Sequence, residues 1–248
     1  MHRTLPCLLF GLLLPLPVAA QSLPDRVREA GDGTVRLSFA ARPGVCGSGN
    51  GITVDGDGDD DWEPACDPGP VRVSLEIRGG RVAGAATRVG GRWREGRVGV
   101  RDLGRVPAGE ASALLLELAR GAGDAGGDLI TAATLADSVV VWPELLRLAG
   151  DRSLPTDTRR QAVFWLGQAA GQAATLGLDS IAADPGGDLE VREHAIFALS
   201  QRPALEGVPL LIRVARTSPH PALRRKALFW LGQSEDPRAL ALFEELLR

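Results

Sequence analysis

Four groups of residues have types and spacings that could support chemistry. Asp55-Gly-Asp-Gly-Asp-Asp-Asp61 alternates carboxylates with glycine, as calcium loops do when they place hard oxygen ligands at positions one, three and five. Position six of such a loop should be glycine and is Asp60; position twelve should be a bidentate glutamate and is Cys66. The calcium-loop pattern therefore fails. A solvated acidic loop is the first reading, and calcium on Asp55, Asp57, Asp59 and Asp61 the second. Cys46 and Cys66 flank this loop, either as a disulfide or as two metal thiolates. Beyond the N-terminal segment only His194 and His220 are histidines, both far away in sequence. The thiolate reading thus lacks further ligands, and a Cys46–Cys66 bridge is expected, worth roughly 3 kcal/mol for a loop of about twenty residues. Glu193-His194 is the third group, an adjacent pair that could ligate metal. The fourth is a set of arginines, Arg159, Arg192 and Arg224, recurring in the C-terminal half. No Gly-x-Ser-x-Gly elbow, phosphate loop or His-Glu-x-x-His pair occurs. Gly47-Ser-Gly-Asn-Gly51 reads as loop, with no helix start to hold a phosphate. No catalytic residue and no cofactor is expected.

Those arginines are positioned by an internal repeat. Gln161-Ala-Val-Phe-Trp-Leu-Gly-Gln168, His194-Ala-Ile-Phe-Ala-Leu-Ser-Gln201 and Lys226-Ala-Leu-Phe-Trp-Leu-Gly-Gln233 are near copies, with starts 33 and 32 residues apart. A period of that size means stacked units. Each octapeptide lies in a first helix, expected over Thr158–Gly167, Val191–Leu199 and Leu223–Leu231. Second helices are expected over Leu176–Ala183, Pro209–Ala215 and Pro237–Leu247, and an earlier half-unit over Trp142–Ala149. The first helices are apolar almost all round, so each requires its own second helix and both neighbours to cover it. Phe164, Phe197 and Phe229 are expected to be shielded between units, and Ala198 to ease packing between Trp165 and Trp230. In this register Glu193-His194 aligns with Arg160-Gln161 and Arg225-Lys226, which cannot hold a metal. The aligned arginines either dock an acidic partner or bond aspartates and carbonyls at the breaks between helices; the second role is expected, since the position belongs to the repeat.

These features resemble the short bacterial HEAT-like repeats first associated with phycobilisome lyases. The features that match are Arg159, Arg192 and Arg224, the alanines three residues on at Ala162, Ala195 and Ala227, and the Asp236-Pro-Arg-Ala-Leu run. The likeness covers roughly residues 128 to 248, and it extends to exported bacterial HEAT-repeat proteins. It implies a binding surface rather than a reaction, because one fold serves many functions. Lyase activity on bilins is not carried over, since that chemistry is cytoplasmic and this chain carries an export pattern.

The N-terminal half has a different period. Val35, Leu37 and Phe39 alternate with Arg36 and Ser38, and Val71, Val73, Leu75 and Ile77 with Arg72, Ser74 and Glu76, as half-buried strands do. Gly79-Gly80 between two extended runs predicts a tight hairpin. Val98 and Val100 suggest a further strand. The fold class expected is therefore mainly α: a C-terminal HEAT-like α-solenoid preceded by a small antiparallel β module with one disulfide. The divisions expected are a signal peptide over 1–20, the β module over 21–106, a connecting helix and link over 107–127, and repeats over 128–248. The signal peptide rests on His2 and Arg3, the apolar run Leu5–Leu16 and the small-residue end Val18-Ala-Ala20. It places the chain in the periplasm or outside the cell. No later segment is long and apolar enough to insert in a membrane.

Net charge is −3 and Lys226 is the only lysine. A nucleic-acid binder would normally carry a strongly basic face, so nucleic acid is not an expected partner. The partner expected is a protein or peptide, met by Arg147, Asp179, Arg213 and Arg216 on the second helices. An enzyme or accessory role, with the β module binding a ligand or calcium, is the alternative. The sequence ends at Leu246-Leu247-Arg248 without a polar cap, which adds a homodimer through the C-terminal helix as a third expectation.

Overall fold

The computed structural model describes residues 21–48, 51–54, 66–95 and 98–248. The expected signal peptide and the aspartates Asp55, Asp57, Asp59 and Asp61 lie outside those residues. Helix α1 (Leu23–Glu29) comes first, its Ser22 cap accepting a hydrogen bond from the Asp25 amide, with Leu23 and Val27 buried. The Ser22-x-x-Asp25 spacing is a helix-start signal that the strand reading passed over.

Seven strands follow among the described residues: β1 (Gly33–Phe39), β2 (Val45–Ser48), β3 (Gly51–Val54), β4 (Asp67–Pro68), β5 (Val71–Arg78), β6 (Arg81–Val89) and β7 (Val100–Arg105). The main sheet has the order β6-β5-β1-β7. Its pairings are antiparallel except at the β7 edge, which runs parallel to β1. Val35 lies opposite Leu75, Leu37 opposite Val73 and Phe39 opposite Val71, so both period-two apolar sets share one face. The expected Gly79-Gly80 turn joins β5 to β6, with φ of 57° and 72°, a region that suits glycine. A second sheet, β3-β2-β4, holds the disulfide: Cys46 is bonded to Cys66 with a Cα–Cα distance of 5.3 Å.

Three strand expectations are corrected. Val98 is fully exposed in a turn; the strand begins at Val100, and Leu103 is its buried residue. Strand β1 is covered on both faces, because Trp93 lies 4.6 Å from the Arg36 guanidinium, which also donates to the Arg94 carbonyl. Gly47 and Gly51 belong to the paired strands β2 and β3 rather than to a free loop.

The helices are α2 (Ala108–Ala119), α3 (Gly126–Thr134), α4 (Trp142–Gly150), α5 (Thr156–Gln168), α6 (Gln172–Ala183), α7 (Leu189–Ser200), α8 (Ala204–Thr217), α9 (Pro221–Gly232) and α10 (Pro237–Leu246). The first helices α3, α5, α7 and α9 pack in succession, and the second helices α4, α6, α8 and α10 likewise, which is the architecture of an α-solenoid. The expected link before residue 128 is ordered: α3 begins inside it. A methyl group on Gly126 would sit 2.7 Å from the Thr158 hydroxyl and 3.0 Å from the Ala119 carbonyl, so α2, α3 and α5 converge where only glycine fits. Helices α4 and α10 start at the expected residues, whereas α6 and α8 start earlier than expected, leaving Pro209 inside α8. Leu205, whose carbonyl the proline amide would have bonded, is an exposed residue near the helix start, where solvent can serve instead.

The first helices are not covered all round. Ala162, Leu166, Ala195, Leu199, Ala227 and Leu231 fill the core, whereas Phe164 and Phe197 are half-buried and Phe229 is 56% exposed. The phenylalanines occupy equivalent positions on an outward face, which the near-continuous apolar run concealed. The aromatic position after them points to the preceding unit. The Trp165 indole N–H donates to Thr131 on α3 at 3.1 Å, and Trp230 packs at a tilt against Phe197 of α7, 5.1 Å between centroids. Ala198 does not simply separate two tryptophans: a methyl on Gly167 would lie 3.0 Å from its Cβ, so α5 and α7 approach through small residues. Buried apolar residues form one cluster from Leu23 to Leu242. The chain at Ala40–Arg42 also bonds to the α3–α4 loop, Arg42 N–H to Leu135 at 2.9 Å and Asp137 N–H to Ala40 at 3.0 Å. The β module and the solenoid thus share a core.

Candidate partner-binding site

The aligned arginines are structural, as the repeat position implied. Buried Arg159 donates from Nε to the Ala149 carbonyl at the end of α4 and from its terminal nitrogen to Asp188 at the start of α7. Buried Arg192 repeats the first bond on Ala182 at the end of α6, and Arg224 donates to the Ser218 carbonyl. Each ties a helix end to the next unit by satisfying carbonyls that a helix C-terminus leaves without partners. Arg202 does the same work and is invisible to a repeat alignment. Its side chain is 7% exposed and donates to the carbonyls of Gly167, Ala169 and Gly171, to Thr175 and to Glu206.

The four residues expected to meet a partner lie on second helices, as placed, and all four are in ion pairs. Arg213 pairs with Asp179 across α8 and α6, Arg216 with Glu245 across α8 and α10, and Arg147 with Glu144 within α4. The Arg213 and Arg216 pairs form a charged seam between successive units. Arg147, Arg213 and Arg216 remain exposed, while Asp179 is largely covered.

The outward face of the first helices carries a different arrangement. Arg160 from α5, Glu190, Glu193, His194 and Phe197 from α7, and Lys226 and Trp230 from α9 enclose a hollow of about 390 Å³. Its floor is aromatic: His194 lies 5.7 Å from Phe197, which lies 5.1 Å from Trp230. Its ion pairs between helices are loose, Arg160 to Glu190 at 3.9 Å and Lys226 to Glu193 at 4.0 Å, while Arg160 also pairs with Asp157 within α5 at 3.2 Å. Burial lowers the His194 pKa, and Arg160 and Lys226 on the flanking helices lower it further, so the ring is neutral at neutral pH. Two cations, two carboxylates, a neutral imidazole and two packed rings suit recognition of a side chain that is both apolar and polar. The signal for this groove was present in the octapeptides. Their first residues, Gln161, His194 and Lys226, change from amide to imidazole to amine, where the other positions keep to apolar or small residues and a final glutamine.

Among the described residues no cluster of His, Cys, Asp or Glu could hold a metal ion. No helix among them is long and apolar enough to cross a membrane. Residues 181–248, which include α7 to α10, match the family of HEAT repeats. No curated protein matches the chain. The helical array is therefore HEAT-like, and HEAT repeats commonly serve as interaction scaffolds.

Proposed function

We propose that this protein is an exported, non-catalytic scaffold that binds a protein or peptide along the first-helix groove. The observation that carries the reading is that groove: three successive units contribute to one hollow whose packed aromatic rings are accessible and whose ion pairs between helices are loose. The second-helix arginines have carboxylate partners of their own, which makes them the weaker candidates. Export to the periplasm or beyond is supported by the N-terminal pattern of charge, leucine run and small residues, and by the Cys46–Cys66 bridge, which persists in oxidising compartments. The recurrent arginine and alanine positions support placing the units with the short bacterial, phycobilisome-lyase type of repeat.

Lys226 is the only lysine, so with an amine-directed cross-linker applied to the full chain in periplasmic extract, any side-chain cross-link, told apart from one at the α-amino end by peptide mapping, reports on this groove. A peptide of another protein joined to Lys226, and lost in Phe197→Ala, is the expected result. Equal cross-linking in wild type and Phe197→Ala, or none in either, would remove the reading. A homodimer through α10 is a second reading, favoured by Leu240, Leu246 and Leu247, which are 61%, 57% and 88% exposed. Light scattering at micromolar concentration should then give twice the monomer mass, and Leu246→Glu should halve it; a monomeric wild type rejects the dimer.

A further inference from the structure

In the arginine ladder the buried rung at Arg192 lacks a part that the buried rung at Arg159 has. In the first rung Arg159 reaches Asp188, the residue that precedes α7. In the second, Arg192 is also buried and makes the equivalent carbonyl bond to Ala182 at 3.1 Å. The residue that precedes α9, in the position of Asp188, is His220. Up to that point the two rungs match: Asp151 acts on Arg159 at longer range, and Asp184 on Arg192. What Arg192 lacks, among the described residues, is the carboxylate in direct contact. Asp184 does not supply it, because Arg152 holds both its oxygens, at 2.9 and 3.2 Å.

The place is open. A hollow of about 270 Å³ lies between α6 and α8 at the Ser218-Pro219 break, lined by Ala182, Arg192, Arg213, Thr217 and Ser218. The other lining cation, Arg213, is matched by Asp179. His220 Nδ1 is buried without a hydrogen-bond partner, so the break itself is short of one polar group. A buried guanidinium without a direct counter-charge favours an anion strongly, and a planar carboxylate fits its fork.

We infer that this hollow is a carboxylate-binding site, in which an acidic side chain of a protein partner takes the place that Asp188 fills one unit earlier. The ladder selects the chemistry: its own complete rung uses an aspartate. The source of the carboxylate rests on the scaffold reading, whereas the site rests on the ladder alone. The site is separate from the first-helix groove and gives the same partner a second, charged anchor.

The test is a titration of the full chain with a hexaglutamate peptide, read from amide NMR shifts at Arg192, Thr217 and Ser218. Hexaglutamine and inorganic phosphate serve as comparisons. Hexaglutamate should shift those amides and hexaglutamine should not. His220→Asp should supply the missing carboxylate from within, weaken hexaglutamate binding by about tenfold or more, and raise the melting temperature by about 2–4 °C. His220→Asn, which removes the imidazole without adding charge, should bind as wild type does. Equal hexaglutamate affinity in wild type and His220→Asp overturns the inference, as do equal shifts with hexaglutamine. Tighter binding of phosphate than of the peptide also overturns it, in favour of a free inorganic anion. Failure of the Lys226 cross-link with these shifts intact would sink the scaffold reading alone. Unchanged shifts with the cross-link present would sink this inference alone.

Discussion

Single arginines do most of the joining between units, and the structure separates those that join from those that could bind. Arg202 spends its donors on three carbonyls, a hydroxyl and a carboxylate around the α5–α6 turn. Arg202→Ala would leave several of these acceptors without partners, and hydrogen bonds to a charged donor are worth about 1.5–3 kcal/mol each. Urea unfolding should show a loss of about 3 kcal/mol, with Arg202→Lys recovering only part because a point charge cannot serve a fork. A loss below about 1 kcal/mol would mean that solvent replaces the side chain. His194 makes a pH prediction. Its folded pKa is below 6.5, so below that pH the unfolded chain binds the proton first. Stability should therefore fall as pH drops from 7 towards 5, and His194→Gln should flatten that slope in thermal melts. An unchanged slope would assign the acid sensitivity to other groups.

Elements meet where side chains are smallest. Gly207 lies near the start of α8, and a methyl group there would sit 2.2 Å from the Leu199 carbonyl of α7. Two effects oppose each other in Gly207→Ala. Alanine is the better helix former by about 1 kcal/mol, but a contact with rigid backbone at that distance forces the two helices apart. The contact should win, for a net loss of about 1–3 kcal/mol by calorimetry; a stabilised variant would show that α7 and α8 can part without cost. At α10 the Asp236 cap bonds the backbone and side chain of Arg238, which holds its pKa at about 2. Its contribution is present above the ordinary carboxylate value and is lost as pH falls towards 2. Helical circular dichroism should show α10 fraying over that range in wild type, and already at neutral pH in Asp236→Ala.

The whole molecule is one core with two kinds of surface. Because the buried cluster runs from α1 to α10, loosening the β module should be felt in the repeats. Reducing the Cys46–Cys66 bridge, which closes a separation of 20 residues, should lower global stability by about 3 kcal/mol, with sheet and helix signals melting together. Separate transitions would show that the two parts are independent after all. Much of this architecture was legible beforehand, because it depends on periodicity. Alternation in β1 and β5 set the shared apolar face, the double glycine set the hairpin, and the octapeptide repeat set three stacked helix pairs and a preceding half-unit, down to the structural role of Arg159, Arg192 and Arg224. Helix α1, the β2–β3–β4 sheet and the parallel edge β7 were not legible, since short elements carry too few residues for a period and strand neighbours depend on long-range pairing. Nor could sequence place the Phe164, Phe197 and Phe229 stripe outside. A residue's type says that it prefers cover, but which side of a helix receives cover is decided by what packs against it. The same reason governs function: the charged second helices looked open in one dimension, and only their packing paired those charges off and left the aromatic groove and the Arg192 hollow accessible.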